Sequence, residues 1–168
     1  GLIDSHTHPL ETGLQLLFVD MRGASSVAEV QQRLRDRHQD ALARGMMLGF
    51  NLEPDGLKEQ RYPKRDELDQ VIPDVPVFIY RVDGHSAVTN TAGLQLVLAK
   101  WPGVKPRGMD GDCNGRPTGV LRGEAYERAL DLGVQVVAGT EAWKSWPDTL
   151  QRRPVLRRIR IPSDRSAL

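Results

Sequence analysis

The chain has 168 residues, with 23 Lys and Arg against 22 Asp and Glu, four His, one Cys, and 39% hydrophobic but only 5% aromatic residues. That length suits one compact domain and falls short of the roughly 200–250 residues of a complete (β/α)8 barrel. The formal net charge of +1 excludes a general bias toward nucleic acid or an acidic surface, but it is unevenly spread: residues 151–168 alone hold six Arg and one Asp.

Gly1-Leu2-Ile3 is a short apolar run that stops at Asp4, a pattern that predicts a buried strand with Ser5 to Pro9 at its C-terminal end. Leu14 to Val19 is a second apolar run. Ser25-Ser26, with Glu29 three residues after Ser26, reads as a helix N-cap and capping box. Val27, Val30, Leu34, Ala41 and Leu42 then recur at near-helical spacing up to Gly45, so a single amphipathic helix is expected over 26–44. Met46 to Phe50 predicts a strand, and the Pro- and Gly-bearing stretch Asn51 to Arg65 a long loop. Pro63 followed by acidic Asp66 and Glu67 suits the first turn of a short helix.

Val75 to Val82 predicts the clearest strand of the chain. Ser86 to Lys100 is read as mostly helix, closed by Trp101-Pro102-Gly103. Residues 103–118, rich in Gly, Asp and Pro, predict a loop. Gly119 to Leu121 is a short strand candidate, Glu124 to Leu132 a helix, and Val134 to Ala138 a strand. Alternating strands and helices imply an α/β or α+β domain with a mixed sheet and flanking helices. The expected organisation is one small α/β domain over residues 1–150 and a basic, flexible tail over 151–168, whose Arg cluster lies without aromatic residues to stack on nucleic-acid bases.

A lone Cys113 forms no internal disulfide and lacks zinc-site spacing, which points to a reducing compartment, the cytoplasm. No apolar run approaches the ~18 residues of a membrane helix, and Gly1 to His6 has neither the basic start nor the apolar stretch of a signal peptide, so no membrane partner is expected.

The candidate chemistry begins at Ile3-Asp4-Ser5-His6-Thr7-His8. Side chains two apart on a strand point the same way, so His6 and His8 can grip one divalent metal ion together; neutral imidazole suits zinc. The bland alternative is two histidines in a polar loop. Further along, His85 precedes what reads as a helix. There it either holds a substrate carbonyl or carboxylate or, with Asn90, merely bonds backbone groups to fix the turn. His38, beside Asp36 and Arg37, reads as a solvated surface residue.

Gly-Leu-Ile-Asp-Ser-His-Thr-His resembles the first barrel strand of the amidohydrolase superfamily of metal-dependent hydrolases. Arg81-Val82-Asp83-Gly84-His85-Ser86 and the residues up to Leu94 resemble the Asp-Gly-His-Ser block of its amidohydrolase-3 type. Val19 to Gly23, Leu68-Asp69 to Pro76-Val77 and Gly115 to Leu121 resemble further stretches of that type in the same order, so the likeness covers about residues 1–125. It implies C–N bond hydrolysis of a small amide-type substrate by a metal-bound water, with His6 and His8 as two of the ligands. The family's other ligands are a lysine or carboxylate and two later histidines, and no histidine follows His85 here. The resemblance therefore implies an incomplete piece of a (β/α)8 hydrolase: one barrel strand plus an inserted α/β region, with little or no activity alone. The other reading is a non-catalytic binding, regulatory or oligomerisation module derived from such an enzyme. An isolated barrel strand has an open edge, so a homodimer or higher oligomer is expected.

Val134 to Gly139, then Thr140 and Glu141, is similar to the family's last strand, which ends in Gly-Thr-Asp; Glu141 would then stand at the catalytic Asp. Alternatively the run corresponds to the family's second strand, or to nothing in it, and Glu141 is a bystander.

Overall fold

The computed structural model describes residues 18–100, 102–103 and 106–138. The expected first strand with His6 and His8, the residue Glu141 and the basic tail lie outside the described residues.

Six strands form one mixed sheet: β1 (Val19–Asp20), β2 (Met47–Leu52), β3 (Val77–Arg81), β4 (Ser86–Thr89), β5 (Met109–Gly111) and β6 (Pro117–Arg122). Their order across the sheet is β1-β2-β3-β4-β6-β5. The first three run parallel, β4 is antiparallel to both β3 and β6, and β5 is antiparallel to β6. Helices α1 (Val27–Asp36), α2 (His38–Arg44), α3 (Arg65–Asp69), α4 (Thr91–Lys100) and α5 (Gly123–Ala138) flank it. This is the mixed α/β arrangement that the alternating pattern predicts.

Strand residues alternate between two buried clusters, as a period of two requires when both faces are covered. Met47, Val77, Ile79, Val88 and Val120 face one cluster, together with Val27, Val30 and Leu34 of α1, Ala41 of α2 and Leu68 of α3. Leu48, Phe50, Phe78, Tyr80, Ala87 and Leu121 face the other, together with Leu94 and Val97 of α4 and Ala125, Ala129 and Leu132 of α5. The result is a sheet between two helical layers. Val30 and Leu34 are fully enclosed, and burial of each contributes roughly 1.5–3 kcal/mol, far more than intrinsic helix propensity does.

The capping signal holds with a small shift. Ser26 is the N-cap, its Oγ accepting the Glu29 N–H at 3.2 Å, but the Glu29 carboxylate reaches one residue further back, to the N–H and hydroxyl of Ser25. The expected single helix over 26–44 is two: the chain leaves helical geometry at Arg37, with φ −114° and ψ 10°. The spacing of Leu34 and Ala41 does not require this break. At the start of α2, His38 Nε2 lies 2.8 Å from Asp74 Oδ1 in the loop before β3, so His38 is a half-buried tether rather than a solvated residue.

Two expectations are overturned. Ser86–Thr89 is strand, not the start of a helix, because Asp83 and Gly84 make a hairpin turn and β4 pairs on both sides. Val134 to Ala138 is helix, not strand: α5 runs through it, and Val134 packs on the same cluster as Ala125, Ala129 and Leu132. A short apolar run without its neighbours does not separate the two states. The expected loop at 103–118 also contains the edge strand β5.

Candidate functional site

The pairings Asp20↔Phe50, Leu52↔Arg81 and Ser86↔Arg122 bring the C-terminal ends of β1, β2, β3 and β6 to one edge of the sheet. In α/β folds this is the edge where ligands bind. Polar residues of two family-like blocks, Val19 to Gly23 and Arg81 to Ser86, collect there.

At the end of β1 the Asp20 carboxylate accepts the N–H and Nε–H of Arg22, at 3.0 and 2.8 Å, and the Asn51 amide at 3.0 Å. The Arg22 guanidinium in particular holds the Asp20 carboxyl well below the usual carboxylate range. Asn51 itself has φ +63°, a left-handed conformation costly for a side-chain-bearing residue, at the point where the β2–β3 register slips. Arg33 of α1 closes the corner by donating to the carbonyls of Asp20 and Arg22, both at 2.9 Å.

At the end of β3 the sequence Arg81-Val82-Asp83-Gly84-His85 folds as a tight turn. The Gly84 N–H donates to the Arg81 carbonyl at 3.0 Å, and Gly84 takes φ +71°, which glycine tolerates without steric cost. Asp83 accepts the backbone N–H of His85 at 3.0 Å through Oδ1 and pairs with Arg81 at 3.4 Å through Oδ2. Arg81 also pairs with Asp55, at 3.0 Å, and so ties this turn to the loop after β2. Its Nε is buried without a hydrogen-bond partner.

His85 is exposed at this edge. It follows a strand as expected but opens into β4, so the strand-to-helix turn belongs to Asn90 alone. Asn90 is fully buried and makes four bonds: Oδ1 accepts the N–H groups of Val77 and Gly93, and Nδ2 donates to the carbonyls of Ile72 and Val75. The Ser86 hydroxyl lies 2.7 Å from that of Tyr62, which brings the 61–64 segment against the hairpin.

Of the residues singled out from the sequence, His85 is thus placed at the edge where β1, β2, β3 and β6 end, whereas His6, His8 and Glu141 lie outside the described residues. Asp20, Asn51, Arg81 and Tyr62 escaped notice as site residues. Asp20 and Arg81 lay within family-like blocks; no local signal marked Asn51 or Tyr62.

Among the described residues no group of three or more His, Cys, Asp and Glu is arranged to hold a metal ion. They therefore do not fit a catalytic metal by themselves. No described helix is long and apolar enough to cross a membrane.

The chain belongs to the amidohydrolase family, whose model matches residues 1–144. It is similar to the protein YtcJ of Bacillus subtilis, 27% identical over 82% of this chain and 26% of that protein. It is also similar to the N-substituted formamide deformylase of Arthrobacter pascens, 32% identical over 72% of this chain and 23% of the other. Among solved structures it matches an uncharacterized metal-dependent hydrolase from Pyrococcus horikoshii, 34% identical with a TM-score of 0.55, covering 81% of this chain and 24% of that one. The chain spans about a quarter of the length of the relatives it matches.

Proposed function

We propose that this chain contributes the first metal-binding strand and a substrate-facing region to metal-dependent hydrolysis of amide-type C–N bonds. The observation that carries this is the family match over residues 1–144, joined to a fold shared with a metal-dependent hydrolase. His6 and His8 are the two ligands, set on one side of a strand by their spacing, and zinc is the metal that best suits them. A catalytic zinc takes about three protein ligands and an open position, and the chain has only four histidines, of which His38 is engaged by Asp74. Little or no turnover by the isolated chain follows. The substrate class is a small amide, with N-substituted formamides the first to try, as the similarity to the Arthrobacter pascens deformylase suggests.

His85, exposed beside the Arg81–Asp83 pair, is assigned to holding the substrate carbonyl or carboxylate. Glu141 is the one candidate for a base from the sequence's last family-like run, and Glu141→Gln separates that role from a bystander: only the former lowers hydrolysis. The lone exposed Cys113 supports a reducing compartment, the cytoplasm. The outer side of β5, which pairs with no strand among the described residues, supports a homodimer or higher oligomer, which light scattering at several concentrations would report.

The direct experiment is a hydrolysis assay on N-substituted formamides and N-acyl amino acids with and without added zinc. Trace hydrolysis that requires zinc and disappears in His6→Ala and His85→Ala is the expected result. Metal-independent hydrolysis unchanged in His6→Ala would overturn it, and neither metal binding nor hydrolysis would favour a non-catalytic module.

A further inference from the structure

We propose that Asn114 is a site of spontaneous deamidation, and that its conversion loosens the β5–β6 hairpin at the edge of the sheet. The chemistry is intramolecular and needs neither metal nor catalytic group, so it stands apart from the hydrolytic reading. The main-chain nitrogen of Gly115 attacks the side-chain carbonyl carbon of Asn114, forming a new N–C bond as the bond from that carbon to Nδ2 breaks. Nδ2 leaves as ammonia, taking up the proton of the attacking N–H. Water then opens the cyclic imide at one carbonyl to give aspartate, or at the other to give isoaspartate, whose main chain is longer by one methylene.

The chain has three asparagines, and the fold treats them differently. The Asn51 amide donates to Asp20 at 3.0 Å, and the next residue, Leu52, is fully buried. Asn90 is buried with both amide atoms engaged, and the N–H of the next residue, Thr91, donates to Asp69 at 2.8 Å. Leu52 and Thr91 also carry side chains that crowd the attacking nitrogen. Asn114 instead precedes a glycine, and a Cβ placed on Gly115 would meet nothing within 4 Å. Residues 112–116 are exposed, so water reaches the amide and the imide.

Among the described residues the Asn114 side-chain amide makes no hydrogen bond; Asp112 Oδ1 accepts only the backbone N–H groups of Asn114 and Arg116, at 2.8 and 2.9 Å. Gly115, with φ +75°, closes the turn by donating its N–H to the Asp112 carbonyl at 2.9 Å. That exposed bond is what the attacking nitrogen gives up, against four buried bonds at the Asn90 amide. Asp55, Asp83 and Asp110 also precede glycine, but an ionised carboxylate resists such attack, and each pairs with Arg81 or Arg122.

An added methylene between residues 114 and 115 falls inside the ring that the Asp112 N–H closes on the Arg116 carbonyl at 2.8 Å. Either product also sets a carboxylate near Asp112, where like charges repel. Among the described residues β5 pairs with β6 alone, so the loosening reaches all of this three-residue edge strand.

The test holds the whole chain at neutral and at mildly alkaline pH and follows each asparagine by peptide-mapping mass spectrometry, with fragmentation that separates aspartate from isoaspartate. Conversion is expected at Asn114, faster at the higher pH because the attacking nitrogen must lose its proton. It should exceed that at Asn90 by at least about a hundredfold, the rate equivalent of three further hydrogen bonds. Asn114→Gln, which closes a less favourable larger ring, should stay unconverted, and circular dichroism reports whether it is folded. Hydrogen exchange at residues 109–112 should be several-fold faster in the converted chain, with β2 unchanged. Asn114 intact in the folded chain while the urea-unfolded chain converts, conversion at Asn51 or Asn90 as fast as at Asn114, or unchanged hairpin exchange after conversion would overturn the proposal.

Discussion

The side-chain oxygen of Asn90 accepts the backbone N–H of Val77 at 3.0 Å, across the hairpin from β4 to the first residue of β3. Three more bonds from the same amide reach Gly93, Ile72 and Val75, so one fully buried side chain satisfies four backbone groups around the junction of β3, β4 and α4. Asn90→Ala leaves those groups without partners. Since each buried unsatisfied group costs ~1–3 kcal/mol, a loss of at least about 3 kcal/mol is expected in urea unfolding. A loss below 1 kcal/mol would show that water replaces the amide.

Gly93 sits where α4 approaches the sheet, and helix propensity alone favours Ala there by about 1 kcal/mol. A Cβ at this position would come 2.1 Å from Thr89 Oγ1 and 3.0 Å from the Val77 carbonyl. Thr89 is buried and donates to that same carbonyl at 2.7 Å, so it has little room to move. Gly93→Ala is therefore expected to destabilise by about 1–3 kcal/mol, the opposite of the propensity ranking, as thermal unfolding would read.

Tyr80 fixes α5 to the sheet: its buried hydroxyl donates to the Ala129 carbonyl at 3.0 Å, and burial pushes its acidity far below that of an ordinary phenol. Tyr80→Phe keeps the packing against Phe50 and Tyr126 and removes only that bond. A loss of about 1 kcal/mol is expected, with amide exchange in α5 accelerated more than exchange in β2.

Acid should weaken the fold. The Ser25 N–H and hydroxyl and the Arg33 guanidinium draw the Glu29 carboxyl down from 4.5 to about 2. Asp20 and Glu67 are lowered as well, by Arg22 and Arg61 first of all. A carboxyl whose folded pKa is depressed stabilises the fold above its unfolded pKa and loses that contribution as pH falls through the folded value. The urea midpoint should thus be nearly flat above about pH 5 and fall from pH 4.5 toward pH 2; a midpoint that rises toward pH 3 would contradict these pairings.

The sequence disclosed what local chemistry decides. Ser26 with Glu29 marks the start of α1, Gly45 the end of α2, and the apolar run Val77 to Tyr80 a strand buried on both faces. Where tertiary pairing decides, it misled: Ser86 to Thr89 has a composition that suits either state, and β3 and β6 on its two sides make it a strand. Val134 to Ala138 extends the helix whose residues Ala125, Ala129, Leu132 and Val134 pack on the sheet. The site divides in the same way. Asp83-Gly84-His85 stands out in the sequence as part of a family-like block, but the reading that it leads into a helix fails because β4 pairs back on β3, and the Tyr62–Ser86 and Asp20–Asn51 bonds join residues 24 and 31 apart in sequence.

Zinc binding by calorimetry, on the wild-type chain and on His6→Ala and His8→Ala, bears most directly on the proposed role of this chain in metal-dependent hydrolysis. Two imidazoles leave most of the coordination sphere to water, so weak binding is predicted, with a dissociation constant above the micromolar range and lost in either variant. Submicromolar stoichiometric binding that either variant retains would contradict the assignment of His6 and His8 as the metal ligands.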